Sequence, residues 1–182
     1  MIRIFDFVLS FLGVLFLWPI GLILCFIGLF DTGSPIFVQE RIGKGKKLFK
    51  LYKFRTMSLD TKSVASHLAS QASITKFGHF LRKTKLDELP QLVNVLKGDM
   101  SLVGPRPNLP NQTELIAERG KRKIYEYLPG ITGLAQIHEI DMSTPEILAM
   151  KDAEMLRHLT VSAYFRYILA TVGGKGQGDR VK

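Results

Sequence analysis

The sequence is poor in cysteine. Cys25 is the only one among 182 residues, so no disulfide framework can form within the chain and a cysteine-built structural zinc site has no basis. That usage fits a reducing compartment. The four histidines, His67, His79, His138 and His158, show no metal-ligand spacing. Acidic residues are also scarce, 16 against 25 Lys and Arg, for a formal net charge of +9. Nucleic-acid-binding motifs are missing, and the aromatics follow apolar periodicity instead of forming a base-stacking surface, so nucleic acid is not an expected partner. There is no internal repeat and no low-complexity tract. "GGKGQGD" (Gly173–Asp179) lacks a GKS or GKT element and follows no strand, so it reads as a helix terminus and tail.

Charge is absent altogether from Phe7 to Phe30, "FVLSFLGVLFLWPIGLILCFIGLF". As helix, these 24 residues at ~1.5 Å each reach about 36 Å, enough for a hydrocarbon core of roughly 30 Å. Leu, Ile, Val and Phe line every side, unlike one face of a soluble helix. The run is long for the apolar core of a signal peptide and has Trp18-Pro19 at its centre, so we read it as membrane attachment. Two topologies remain open from composition. A straight span places the basic segment after residue 40 on the cytoplasmic side, whereas a kink at Pro19 lets the helix dip into one leaflet and return. The membrane segment is assigned to residues 1–31 and a cytoplasmic domain to 32–182. Residues 1–31 hold Arg3, Asp6 and Asp31, which leaves +10 on the remainder. A domain so basic calls for an anionic lipid surface or a phosphate-rich substrate.

"SPIFVQERIGKGKKLFKLYKFRTM" (Ser34–Met57) predicts a β-hairpin turning at Gly43-Lys44-Gly45, with seven basic residues and no acid from Arg41 to Arg55. Residues 58–73 read as loop or weak helix. Ile74, Phe77 and Leu81 recur at helical spacing opposite Lys76, His79, Arg82 and Lys83, a helix suited either to the headgroup layer or to packing on the core. A helix is expected at about 88–97 with Gly98 as its stop, then a stiff loop "MSLVGPRPNLP" (Met100–Pro110), a helix near 112–126 and the turn "LPGITG" (Leu128–Gly133). "STPE" (Ser143–Glu146) has capping-box spacing and opens a helix to about His158. An amphipathic stretch closes the series at Val161–Val172. The fold class is α+β, mostly helical, with one small hairpin.

Two stretches carry candidate chemistry. In "KLDELPQ" (Lys85–Gln91), Asp87 and Glu88 are adjacent acids behind a basic run. The structural alternative makes Asp87 a helix N-cap. The chemical alternative makes one carboxylate a nucleophile toward phosphorus and its neighbour a holder of a divalent metal. In "GPRP", Arg106 stands between two prolines that stiffen the backbone under its guanidinium, a fork suited to phosphate. Asp99, after Gly98, is either a second acid near the site or a turn residue.

Those stretches, with "LPGITGLAQI" and the apolar N-terminal segment, resemble the bacterial sugar transferases known as monotopic phosphoglycosyl transferases, in their small single-domain form. The resemblance runs from the first residues to about Gly133 and more loosely beyond. It implies transfer of a sugar 1-phosphate from a UDP-sugar to polyprenol (undecaprenyl) phosphate with release of UMP, at the start of surface-glycan assembly. It further implies that Asp87 is the nucleophile of a phosphosugar-enzyme intermediate. Glu88, with Asp87 beside it, is a ligand of Mg²⁺, and Arg106, Lys53 and Arg82 hold phosphate. Asp152 corresponds to a further acid of the family, and Asp99 is a second candidate for such a role. Pro19 matches the break of a re-entrant membrane helix whose two ends face the cytoplasm at the inner membrane. Anionic lipid, a second copy of the chain and downstream glycosyltransferases are the implied partners. Leu128, Ile137-His138-Glu139, Met155 and Leu156 depart from the family pattern where sugar and nucleotide contacts are expected, so no sugar is assigned. A non-catalytic, membrane-anchored basic scaffold is the rival reading.

Overall fold

A computed structural model describes residues 1–61 and 73–176. The first element, α1 (Ile2–Thr32), takes up the whole apolar run, with helical backbone on both sides of Pro19 and a left-handed Gly33 (φ 72°) as its stop. Pro19 offers no N–H to the carbonyl of Leu15. Its outer side stays apolar and exposed, with Phe16 at 71% and Phe30 at 78%. By length and composition α1 could cross a membrane.

The other side of α1 is docked on the rest of the chain at both ends. Near its start, Asp6 is buried and its Oδ1 accepts hydrogen bonds from Ser101 Oγ, the Leu102 N–H and Tyr164 Oη, each at 2.9 Å. Arg3 donates to the carbonyls of Met100 at 2.8 Å and Val95 at 2.6 Å. Near its end, Gly28 lies against Pro35 and Phe77, and Thr75 Oγ1 donates to Asp31 Oδ2 at 2.6 Å. Burial and the neighbouring Asp6 charge push the Tyr164 phenol well above its ordinary range.

The expected hairpin is present as β1 (Ile36–Ile42) and β2 (Leu48–Phe54), antiparallel, with Ile36 opposite Phe54 and Ile42 opposite Leu48. Gly45, at φ 65°, makes the turn in the position expected for it. The strands alternate, but their inner face is only partly apolar. Gln39, Arg41 and Lys53 are buried on it beside Leu51.

The helix α2 (Lys76–Thr84) follows, capped by Thr75 Oγ1, which accepts from the Gly78 N–H at 2.8 Å. The packing alternative is the one seen here. Leu81 and Phe77 pack against Leu24 of α1 and Phe54 of β2, while Phe80 is half exposed. Gly78 is required by contact: a Cβ there would lie 2.0 Å from the Thr56 carbonyl oxygen.

Next come α3 (Gln91–Lys97), stopped by Gly98 at φ 91° as expected, and β3 (Ser101–Val103). The stretch read as a stiff loop therefore begins as a strand. Its parallel partner β4 (Gly130–Thr132) lies in the stretch read as a turn, with Ser101 opposite Gly130 and Val103 opposite Thr132. The pairing depends on two glycines, since a Cβ on Gly130 would come within 2.0 Å of the Gly104 nitrogen.

The single helix expected near 112–126 is two elements, α4 (Thr113–Lys121) and a 3-10 turn at Ile124–Glu126, divided by Lys123 at φ 57°. A short α5 (Leu134–Ile137) leads to α6 (Pro145–Arg157) and α7 (Val161–Val172), the last with its expected bounds. The capping box at Ser143 does not form. The Ser143 N–H and hydroxyl are both turned to Asp141 Oδ1, and Thr144 precedes the helix without a side-chain cap. Val103, Met155, Ala163, Tyr164 and Tyr167 form the largest core cluster among the described residues, against which Ile2, Phe5 and Leu9 of α1 pack. The loop expected at 58–73 falls mostly at residues 62–72, and the glycine-rich tail ends beyond residue 176; both of those parts lie outside the described residues.

Candidate active site

Asp87 and Glu88 do not open a helix as an N-cap. They lie in a 3-10 turn, Leu86–Glu88, and α3 starts only at Gln91 with Pro90 before it. The cause is local. Lys85 adopts the left-handed conformation (φ 59°) and ends α2, and successive i→i+3 bonds then carry the chain through Leu89, Leu92 and Val93. Lys85 also ties this turn to the C-terminal helix, donating to the carbonyls of Thr171 at 3.0 Å and Lys175 at 2.6 Å. Burial lowers its ammonium pKa, while the charge of Glu88 works the other way.

The turn presents Glu88 to two cations from different parts of the fold. Arg106 Nη2 donates to Glu88 Oε1 at 3.0 Å, and Lys53 Nζ stands 3.7 Å from the same oxygen. Asp87, next in the chain, is buried at 6% exposure. Three of the residues named from the sequence thus meet: Glu88, Lys53 and Arg106. Arg82, on the helix leading into the turn, directs its Nε to Thr56 Oγ1 at 2.9 Å.

Asp99 and Asp152 take other places. Asp99 sits past the far end of α3, where it accepts from Asn94 Nδ2 at 3.3 Å and faces Lys97 Nζ at 3.7 Å. A seven-residue helix separates it from the Asp87 turn by about 10 Å. Asp152 is fully buried on α6 and takes both Nε and Nη2 of Arg119, at 3.0 and 2.6 Å, on one oxygen. Burial raises its carboxyl pKa and the Arg119 guanidinium opposes that rise. Arg119 Nη1 in turn donates to the Arg106 carbonyl at 2.8 Å and to Asn108 Oδ1 at 3.1 Å. Asp152 therefore acts one step behind the site, by fixing the backbone that carries Arg106.

Sequence reasoning passed over Arg119, Arg41 and Gln91. Arg41 Nη1 donates to the Pro107 carbonyl at 3.0 Å and its Nη2 to Gln39 Oε1 at 2.5 Å, so the hairpin also grips the Arg106 loop. Strand alternation offered a signal here, because a polar Gln39–Arg41 pair on the inward face of an otherwise ordinary hairpin calls for a partner inside.

Among the described residues no group of three or more His, Cys, Asp or Glu could hold a metal. Mg²⁺ is commonly held by one or two carboxylates together with substrate phosphates and water. The Asp87–Glu88 pair fits that mode and not an all-protein cage.

Residues 1–175 match the bacterial sugar transferase family. A sugar transferase of Bacillus subtilis, EpsL, whose function is uncharacterized, is 44% identical over 75% of this chain and 67% of its own length. A second B. subtilis protein, a putative undecaprenyl-phosphate N-acetylgalactosaminyl 1-phosphate transferase, is 40% identical over 71% of this chain and 70% of its own. The undecaprenyl-phosphate galactose phosphotransferase of Salmonella typhimurium is 37% identical over 78% of this chain, although the match spans only 34% of that longer protein. With a family match over nearly its whole length, the chain belongs to the bacterial sugar transferase family.

Proposed function

We propose that the protein transfers a sugar 1-phosphate from a UDP-sugar to undecaprenyl phosphate, releasing UMP and initiating polysaccharide synthesis. The observation that carries this reading is the convergence of Lys53 and Arg106 on Glu88, directly beside Asp87. Relatives named for galactose, glucose and N-acetylgalactosamine phosphate transfer to the same lipid carrier support the reaction class and leave the sugar open.

In the first half-reaction a carboxylate oxygen of Asp87 attacks the sugar-linked phosphorus, and the bond from that phosphorus to the bridging oxygen breaks as UMP leaves. In the second, a phosphate oxygen of the polyprenol phosphate attacks the same phosphorus and frees Asp87. Splitting the transfer lets one site serve a soluble donor and a lipid acceptor in turn. Arg106 and Lys53 orient the phosphate and neutralise its charge, which is where most catalysis of phosphoryl transfer originates. Glu88, with Asp87 beside it, would hold Mg²⁺, which when bound supplies further neutralisation of the diphosphate.

The reading places the enzyme on the cytoplasmic face of the membrane with α1 re-entrant. Support comes from the docking of both ends of α1 on one domain. Arg3 and Asp6 bind groups of α3, β3 and α7, and Asp31 binds Thr75. A straight span would separate those ends by the ~30 Å hydrocarbon core. The half-exposed Phe80 and the outward face of α1 supply an apolar surface for lipid.

The test is UMP release from a panel of UDP-sugars by membrane-inserted protein with polyprenol phosphate and Mg²⁺. Asp87→Asn is expected to lower turnover by at least about 10³-fold with insertion unchanged. Donor alone should leave a phosphosugar adduct on the wild type. Full turnover by Asp87→Asn would remove the nucleophile assignment, and release of UMP only when both substrates are present would replace the two-step path with direct displacement.

A further inference from the structure

The glycine-rich end of the chain takes no part in the proposed reaction, yet it is built onto the turn that carries Asp87. Helix α7 ends in a Schellman motif. The Lys175 N–H donates to the Ala170 carbonyl at 2.9 Å and the Gly174 N–H to the Thr171 carbonyl at 3.1 Å. Gly174 supplies the left-handed residue that this motif requires, at φ 92°. The reversal brings the Lys175 carbonyl round to the side of Thr171, and both carbonyl oxygens accept from Lys85 Nζ, at 2.6 and 3.0 Å. One ammonium thus joins the last turn of α7 to the chain just past it. A cation there also meets the negative end of the helix dipole.

At its other end Lys85 shapes the Asp87 turn. Its backbone is left-handed at φ 59°, and its carbonyl accepts the Glu88 N–H at 3.2 Å. A lysine has no intrinsic preference for that conformation, which persists where the surroundings over-determine it. The same last turn of α7 reaches a second element, since the Thr171 and Thr132 hydroxyls are hydrogen-bonded to each other. Thr132 lies on β4 opposite Val103 of β3, and the chain runs from Val103 through Gly104 to Arg106. Thr171 therefore addresses both halves of the site. Its carbonyl holds the turn of Asp87 and Glu88 through Lys85, and its hydroxyl holds the sheet that leads to Arg106. The chain stays docked beyond the motif, where a Cβ on Gly176 would lie 2.6 Å from the Gln136 carbonyl oxygen.

Resting on the proposed reaction, we infer that Lys85 is a positioning residue and that the glycine-rich terminus is its receptor. The strut from Nζ to the Thr171 and Lys175 carbonyls sets the left-handed turn. It thereby aims Asp87 at the phosphorus and fixes that aim relative to the Arg106 loop. Lys85 touches no substrate, so its effect falls on the rate of the chemical steps and not on donor binding.

The experiment uses the full chain in nanodiscs. It compares wild type with Lys85→Met, Lys85→Gly, Lys85→Arg, Gly174→Ala and the double variant Lys85→Met/Gly174→Ala. Lys85→Met removes the donors at similar length. Lys85→Gly removes them while easing the left-handed backbone, so any loss of rate there is not due to strain. Lys85→Arg keeps a cationic donor. Gly174→Ala strains the motif at a residue with open space around it. In Lys85→Met and Lys85→Gly, kcat for UMP release and the rate of adduct formation from donor alone should both fall about 10- to 100-fold. The KM for UDP-sugar should stay within about twofold. Lys85→Arg should recover most of the rate. Gly174→Ala should lower kcat by itself and add little in the double variant, where the contact is already gone.

Folded Lys85→Met and Lys85→Gly with kcat within about twofold of wild type would overturn the inference, as would losses that multiply in the double variant. A raised KM at unchanged kcat would overturn it too, by making Lys85 a substrate-binding group. Should Lys85→Met fail to fold by circular dichroism, Lys85→Gly and Gly174→Ala decide. Thermal midpoints of the two single variants and the double measure the contact without turnover. If the wild type releases no UMP from any UDP-sugar, it is the proposed reaction that fails. Coupled midpoints then still show the strut, and independent midpoints remove it.

Discussion

Two arginine–carboxylate pairs stand side by side in this protein and differ in one respect. Arg106–Glu88, at 3.0 Å, keeps side-chain exposures of 20% and 12%, whereas Arg119–Asp152, at 2.6 Å, is sealed at 2% and 0%. The two are joined, since Arg119 also holds the Arg106 carbonyl. An accessible pair can exchange its partner for a phosphate or a metal ion, and its geometry is available for chemistry. A sealed pair cannot, and its energy goes into fixing backbone. In the proposed reading the Arg106–Glu88 pair takes part in the site beside Asp87, and the Arg119–Asp152 pair supports it from behind.

The largest expected effect comes from breaking the sealed pair. Asp152→Ala leaves a buried guanidinium without its counter-charge, which costs about 3–5 kcal/mol. For a chain of 182 residues that lowers the thermal midpoint by roughly 6–20 °C. The double variant Arg119→Met/Asp152→Leu removes both charges and should recover much of that stability. It should not recover turnover, because the Arg106 carbonyl and Asn108 lose the guanidinium that orders them. Thermal unfolding and UMP release measured on the same samples check both halves. Restored activity in the double variant would show that Arg119 does not position Arg106.

The accessible pair should respond in the opposite way. Glu88→Gln keeps an acceptor for Arg106 and is expected to change stability by less than about 1 kcal/mol, in the range of partly exposed ion pairs. Turnover should fall about 10²-fold or more, the usual loss on removing one preorganised electrostatic group. Titration of Mg²⁺ should show a weakened requirement that higher metal concentration partly offsets. A stability loss as large as that of Asp152→Ala would make Glu88 a structural residue and erase the contrast.

How far the sequence revealed this arrangement depended on how local each cause is. The hairpin was legible because period-two alternation and Gly45 act within a few residues. Gly98 as the stop of α3, and α7 with its bounds, were legible for the same reason. The β3–β4 pair was not: each strand has three residues, and what joins them is the close approach of Gly104 to Gly130 across 26 positions. The turn carrying Asp87 was misread as a cap because the deciding residue, Lys85, adopts a left-handed conformation that its side chain does not announce. At the site, Asp87, Glu88, Lys53 and Arg106 were named, and Lys53 and Arg106 meet on one oxygen of Glu88. Arg119 could not be named, since its partner is 33 residues away and an Arg on a helix ordinarily faces solvent.

The smallest expected effect belongs to the remaining acid, and it sharpens the comparison from the other side. Asp99 shares with Glu88 a place close in sequence to α3 and a nearby cation, Lys97 at 3.7 Å. Yet that lysine is half exposed, and the acid lies at the opposite end of the helix from the Asp87 turn. Solvent screens such a pair, whose worth is typically about 0–1 kcal/mol. Asp99→Asn retains an acceptor for the Asn94 amide, so the loss should stay within roughly 0.5 kcal/mol and UMP release within about twofold, a difference below ~0.5 kcal/mol in barrier. Steady-state turnover beside a thermal melt measures both. A large loss of rate with an unchanged melt would bring Asp99 into the reaction. The proposal that the chemistry belongs to the Asp87 turn, and not to the opposite end of α3, would then fail at the acid nearest to testing it.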